Sequence, residues 1–208
     1  MVMLLYERFL RVLIKFLYSG FFLDVMVYEI EKKARVSSKK EFDKYKKLLE
    51  GKGEFLEERR MRTFFFIEPG YLRIRYCDGK IIVTHKTGKL GDVARREVNL
   101  ELNPEQLSGF LALLEVLGFK ECACFETLRY CYRFRNVVVE LNEIKGLGFY
   151  IEAEALTEDK EEIDILSKKI SDVLKSLDLK ETFPEEYGRL MRDYFLKNAK
   201  PVSEQNFK

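Results

Sequence analysis

Eight segments of this chain, residues 26–36, 60–67, 71–76, 80–86, 95–102, 125–135, 136–143 and 148–156, alternate between apolar and polar side chains. Successive side chains of a strand point to opposite faces, so each segment predicts a strand with one apolar and one polar face. A chain with that many two-faced strands has to build a large sheet and cover one side of it. Asp78-Gly79, between the third and fourth segments, predicts a tight hairpin and therefore antiparallel neighbours.

Helical spacing separates the strands. Ser38-Lys39-Lys40-Glu41 is a capping box, followed by Phe42, Tyr45, Leu48 and Leu49 on one side and closed by Gly51 and Gly53. Asn103-Pro104-Glu105-Gln106 starts a second helix, with Leu107, Phe110, Leu111, Leu114 and Leu117 as its apolar face. Thr157 is expected to open a third, carrying Ile163, Leu166, Ile170, Val173, Leu174 and Leu177, and a fourth follows Pro184. Many strands with a few covering helices predict an α+β domain on an antiparallel sheet or barrel. The expected boundaries are an amphipathic extension over 1–25, a domain over 26–200 and a tail over 201–208.

The polar faces are ionic. Glu29, Glu31 and Lys33 share one face of the first strand and Tyr28, Ile30, Ala34 and Val36 the other. Arg73 and Arg75 oppose Leu72, Ile74 and Tyr76; Thr84 and Lys86 oppose Ile81, Val83 and His85; Arg95, Glu97, Asn99 and Glu101 oppose Val98, Leu100 and Leu102. Arg129 and Arg133 alternate with aromatic residues, Glu140 and Asn142 oppose Val139 and Leu141, and Glu152 and Glu154 oppose Ile151, Ala153 and Ala155. A flat sheet with one solvated face would alternate in the same way. The charge types, however, are sorted: the first and last strands supply acids and the middle ones supply bases. In a curled sheet these become two like-charged clusters, where each pair about 4 Å apart costs on the order of 4 kcal/mol at an effective dielectric of 20. Divalent metal suits the first cluster and polyphosphate the second.

Composition removes several classes of function. Lys+Arg 37 against Asp+Glu 35 leaves a net charge of only +2, which argues against a nucleic-acid-binding surface. Charged residues reach 35% and glutamine is confined to Gln106 and Gln205, a pattern of heat-adapted proteins. Cys77, Cys122, Cys124 and Cys131 lack zinc-site spacing and are expected as buried free thiols. Residues 4–17 are apolar but interrupted by Glu7, Arg8, Arg11 and Lys15, too often to cross a bilayer and without a signal-peptide pattern. Cytoplasmic placement is the expectation, and a homodimer through the N- or C-terminal helix is left open.

Tyr28-Glu-Ile-Glu-Lys-Lys-Ala-Arg-Val36, Tyr71-Leu-Arg-Ile-Arg75, Val83-Thr-His-Lys86, Arg95-Arg-Glu97 and Gly146-Leu-Gly-Phe-Tyr-Ile-Glu152-Ala-Glu154 follow one another in order. Together they resemble the CYTH superfamily, or triphosphate tunnel metalloenzymes, over about residues 26–180. The resemblance implies a closed barrel of eight antiparallel strands with covering helices. It implies one or two Mg²⁺ or Mn²⁺ ions held by Glu29, Glu31, Glu152 and Glu154, with Glu140 and Asn142 beside them. It also implies a triphosphate-containing small molecule held by Lys33, Arg73, Arg75, Lys86, Arg95, Arg129 and Arg133, with Glu29, Glu31 and Lys86 closest to the chemistry. The sequence departs from the family at Asn142, where an aspartate is usual, and at Arg62, where related cyclases carry an acid. The implied activity is most like that of class IV adenylyl cyclases, which turn ATP into cyclic AMP and pyrophosphate. A thiamine or inorganic triphosphatase and a non-catalytic triphosphate-binding module are the alternatives. His85 by parity, the Gly146-Leu-Gly148 turn and the charge run Glu57-Glu58-Arg59-Arg60, expected as a solvated patch, stay outside this site.

Overall fold

The computed structural model describes residues 28–68, 71–86, 94–202 and 207, without the side chains of 86 and 94–96. The expected helix within 1–25 and the side chains of Lys86 and Arg95 lie outside the described residues. The strands are β1 (Tyr28–Val36), β2 (Glu54–Phe66), β3 (Leu72–Cys77), β4 (Lys80–Lys86), β5 (Ala94–Leu102), β6 (Glu121–Phe134), β7 (Val137–Ile144), β8 (Gly148–Thr157) and the two-residue β9 (Lys200–Pro201). The helices are α1 (Lys39–Lys52), α2 (Leu107–Val116), α3 (Ile163–Ser176) and α4 (Pro184–Asn198). Strand order is β2-β3-β4-β5-β1-β8-β7-β6-β9, all neighbours antiparallel, and β2 also pairs with β6.

Local chemistry sets most of these boundaries. Asp78 and Gly79 both take positive φ, 52° and 77°, as a primed hairpin turn needs. Ser38 caps α1 by accepting a hydrogen bond from the Glu41 amide, while Glu41 turns back to accept from Ser37. Gly146 has a φ of +83°, and an added Cβ would come within 3.0 Å of the Tyr194 ring, so two constraints select glycine there. Thr157 ends β8 instead of opening a helix; its hydroxyl donates to Glu162 and accepts from the Asp159 amide, and α3 begins only at Ile163. Glu57-Glu58-Arg59-Arg60 belongs to β2, which β6, running from Glu121, pairs over eleven residue pairs; Glu58 and Arg60 are exposed as expected, whereas Glu57 and Arg59 turn to the concave side.

The outer face of the sheet is apolar, and the helices cover it. Ile30, Ala34, Val139, Leu141, Ile151 and Ala153 pack beneath Phe42 and Leu49 of α1 and Ile170, Val173 and Leu174 of α3. Phe64, Ile74, Ile81 and Val83 pack beneath Leu111 and Leu114 of α2. Each of the larger side chains is worth about 1.5–3 kcal/mol on full burial, so most of the core lies outside the sheet; on the concave face a smaller cluster of Phe65 and Ala123 packs against Met191 and Phe195 of α4, and the rest is polar.

The sheet is a curled half-barrel, which corrects the closed barrel expected from the sequence. β1 shares nine residue pairs with β8 but only three with β5, at Tyr28, Glu29 and Ile30. Along the rest of β1 the curl is open among the described residues. The segment between α3 and α4 occupies this edge: the Thr182 amide donates to the Lys33 carbonyl at 2.7 Å, and the Arg35 amide donates to the Thr182 hydroxyl at 2.8 Å. One threonine thus satisfies backbone groups that a neighbouring strand would otherwise pair. Replacing Thr182 by Val, which keeps the shape but strands the Arg35 amide, is expected to cost about 1–3 kcal/mol in urea unfolding. Thr182→Ser, which keeps the acceptor, should cost clearly less; equal losses would exclude this role.

Candidate active site

The concave face encloses a cavity of about 670 Å³, within the range of about 300–1,000 Å³ usual for small-molecule sites. Glu29, Glu31, Lys33, Arg73, Arg75, Arg129, Glu140, Asn142, Glu152 and Glu154 all line it. Arg133 is not among the lining residues; it sits half-exposed on β6, donating to Glu54 at 2.8 Å. Backbone register places Lys86 opposite Glu97 and Arg95 opposite Glu29. Arg62 lies over the Phe64 ring at 4.9 Å, away from the cavity lining.

The acids divide into two groups. Glu29, Glu31 and Glu154 bring carboxylate oxygens within 4.8 Å of one another. Burial first, then the charges of Glu140 and Glu29, push the Glu154 carboxyl up to about 8. The oxygen donors of this cluster fit a hard divalent cation, which would favour the charged form of Glu154. Glu152 behaves oppositely: although burial disfavours its charge, Lys33 and Arg129 outweigh that and hold it below the ordinary carboxylate range. Lys33 lies 3.0 Å from both Glu31 and Glu152, and these partners overcome its burial and raise it well above a free lysine. Arg129 contacts Glu140 at 2.6 Å and Asn142 at 2.7 Å, so Glu140 and Asn142 face a guanidinium.

The bases are unevenly neutralised. Arg73 lies 3.5 Å from Glu97, which accepts from the Asn99 amide at 2.7 Å, and Asn99 in turn accepts from the Thr84 hydroxyl at 2.7 Å. Arg75 is different. Its Nε is buried without a hydrogen-bond partner, and Arg73, then burial, then Arg129 push its guanidinium down to about 9. A buried cation beside two others is an anion-binding position.

Residues outside the sequence-based selection complete the lining. Glu57, Arg59, Met61 and Thr63 come from β2, Glu97 and Asn99 from β5, Glu181 and Thr182 from the segment leading into α4, and Pro184 and Tyr187 from the first turn of α4. Extending the period-two pattern of β2 toward its start would have found Glu57 and Arg59, which share parity with Met61 and Thr63. Tyr187 carried no such signal. It closes one side of the cavity, its ring 5.3 Å from Lys33 Nζ and packed edge-on to Tyr150.

Comparison with known proteins agrees with this geometry. The family model for the CYTH domain matches residues 27–183. A Methanocaldococcus jannaschii protein provisionally named an adenylate cyclase is 28% identical over 108 residues, which span 52% of this chain and 62% of that protein. A Pyrococcus horikoshii structure is 30% identical with a TM-score of 0.57, covering 73% of this chain and 91% of its own. Another from the same organism, at 24% identity and a TM-score of 0.66, covers 79% and 98% and shares the fold. No helix among the described residues is long and apolar enough to cross a membrane.

Two predictions follow from the charge distribution. Unfolded, Glu154 titrates near 4.5; folded, it titrates at about 8, so between these values the native protein keeps a proton that the unfolded chain has lost. Stability of the metal-free protein should therefore fall as pH rises from about 4.5 to about 8. Excess Mg²⁺ should flatten that decline in thermal melts, and unchanged slopes would count against a cation site here. Arg75→Met removes an unpaired buried charge and should leave the ligand-free protein as stable or more so, while weakening inorganic triphosphate binding on the order of 100-fold in calorimetry.

Proposed function

Because the chain belongs to the CYTH domain family, we propose that it is a metal-dependent enzyme acting on a nucleoside or organic triphosphate, most like a class IV adenylyl cyclase. The observation that carries this reading is Arg75, buried beside Arg73 with its Nε unpartnered in a cavity whose other side gathers three carboxylates. A polyphosphate with a divalent cation is the ligand that neutralises both at once.

Glu29, Glu31 and Glu154 would hold the metal, Mg²⁺ or Mn²⁺. Bound there, the ion supplies Lewis-acid polarisation of a phosphoryl oxygen. Arg73 and Arg75 bind phosphate oxygens, with bidentate geometry available to each guanidinium. Lys33, already between Glu31 and Glu152, joins the acid and base halves and holds a point charge where the two meet. Lys86 and Arg95 are assigned to phosphate from their place in the sequence pattern. In the cyclase reaction the ribose 3′-hydroxyl attacks the α-phosphorus, the bond to the β-phosphate oxygen breaks, and pyrophosphate leaves. Such a transition state spreads charge over phosphate oxygens, which preset guanidinium groups stabilise without reorganising. Leu56, Val138 and Leu156, also on the lining, give the organic part of the substrate an apolar surface.

Product analysis of the purified protein with Mg²⁺ or Mn²⁺, and with ATP, inorganic triphosphate and thiamine triphosphate in parallel, tests this. Cyclic AMP and pyrophosphate from ATP are expected, and Glu29→Gln or Glu31→Gln should reduce turnover on the order of 100-fold or more. Phosphate release without cyclic AMP would replace the cyclase reading by a triphosphatase. Tight triphosphate binding with no turnover under either metal would make the protein a binding module.

A further inference from the structure

We propose that Thr84 and Asn99 are positioning residues: together they hold Glu97 back from a two-point pair with Arg73, and so leave the Arg73 guanidinium open to an anion. This rests on the triphosphate reading above and adds the residues that keep one of its binding groups available.

Arg73, Thr84 and Asn99 lie opposite one another in a single row across β3, β4 and β5, and Glu97 shares the face of Asn99 on β5. The Thr84 hydroxyl donates to Asn99 Oδ1 at 2.7 Å, Asn99 Nδ2 donates to Glu97 Oε1 at 2.7 Å, and Glu97 Oε2 lies 3.5 Å from Arg73 NH2. Charge fixes the direction of each link. An ionised Glu97 only accepts, so the Asn99 amide turns its nitrogen toward Glu97 and its oxygen toward Thr84, whose hydroxyl then has to donate. Arg73, Glu97 and Asn99 line the cavity, whereas Thr84, 1% exposed, is not among the lining residues. Thr84 therefore acts on the cavity through Asn99.

The distances show what this restraint does. A guanidinium and a carboxylate free to move close on each other through two parallel hydrogen bonds of about 2.7–2.9 Å, and elsewhere in the cavity Arg129 does approach Glu140 to 2.6 Å. Arg73 and Glu97 stop at 3.5 Å, beyond the usual N–H···O length of about 2.7–3.2 Å. With one oxygen bound to Asn99, Glu97 turns only the other toward Arg73. Its charge still acts across the gap: burial disfavours the Arg73 cation, and Glu97 leads the groups that outweigh burial and raise it above a free arginine. Arg73 is thus balanced at a distance, while its buried Nε has no hydrogen-bond partner. A guanidinium in that state offers its donors to an anion, whereas one closed onto a carboxylate would first have to break two hydrogen bonds.

Nuclear magnetic resonance of the side-chain guanidinium groups in the full chain without ligand gives the rate of rotation about the Arg73 Nε–Cζ bond, which a two-point pair slows. Asn99→Leu and Thr84→Val should each slow it on the order of tenfold, while Thr84→Ser, which keeps the donor, should not. Calorimetry with inorganic triphosphate and Mg²⁺ should show about tenfold weaker binding for Asn99→Leu and a smaller loss for Thr84→Val. Combining the two should cost no more than Asn99→Leu alone, because the residues act in series. Circular dichroism checks folding, and Thr84→Val, which keeps the side chain's shape, carries both readouts if Asn99→Leu does not fold. Unchanged or faster rotation in Thr84→Val, or losses that add in the double variant, would overturn the proposal. Slower rotation in the variants with no triphosphate binding by the unaltered protein would instead overturn the functional reading and leave this one standing.

Discussion

The ion pairs of Lys33 with Glu31 and Glu152, both 3.0 Å long, are the contacts on which the cavity depends. The Glu152 pair ties β1 to β8 on the concave side, away from the cluster in which Phe65 and Ala123 pack against Met191 and Phe195 of α4. Buried ion pairs of this kind add little stability over apolar packing, since desolvation offsets most of the attraction, but breaking one leaves a buried charge uncompensated. Their effect is therefore on specificity. A curl that separated Lys33 from Glu152 would leave Lys33 with Glu31 alone and Glu152 with Arg129 at 3.9 Å alone, so alternatives to this curvature are disfavoured.

That arrangement inverts the usual use of a curled sheet. The apolar residues face outward and need α1, α2 and α3 to cover them, and burying Ile30, Leu141, Ile151 and Ile74 against those helices supplies the favourable energy. The inner face can then carry a density of charge that no solvent-free core would tolerate. Arg75 marks the limit of that tolerance. Its pKa near 9 shows a cation held in place by its surroundings rather than by a partner, the form in which binding sites store unfavourable energy for a ligand to relieve.

How much of this was legible depended on the range of each interaction. Glu29, Glu31, Lys33, Glu140, Glu152 and Glu154 reach the cavity through strand parity alone, a property of neighbouring residues, so alternation was enough to find them. The cap at Ser38 and the Asp78-Gly79 turn are equally local. Thr182 and Tyr187 were not legible, because they act across a separation of well over 100 residues through a backbone edge and a ring contact. The half-barrel curl was hidden for a related reason: periodicity reports which face a side chain takes, not how many residues of β1 find partners on β5. Glu57 and Arg59 were missed because a run of charges reads as solvated surface unless the parity of Met61 and Thr63 is carried back through it.

The asymmetry of the lining explains why the metal and phosphate halves need each other. Glu154 is short of positive charge and Arg75 is short of negative charge, yet both remain in one enclosed space instead of collapsing together. The sheet prevents that collapse: Glu154 is fixed on β8 opposite Glu31 and Val138, and Arg75 on β3 opposite Thr63 and Ile82. In the same cavity Lys33 is matched with Glu31 and Glu152, and Arg129 with Glu140. Glu154 and Arg75, held on separate strands of one cavity, make a receptor for a ligand that is itself polarised. A triphosphate carrying one cation has that form, and either component alone would satisfy only one end.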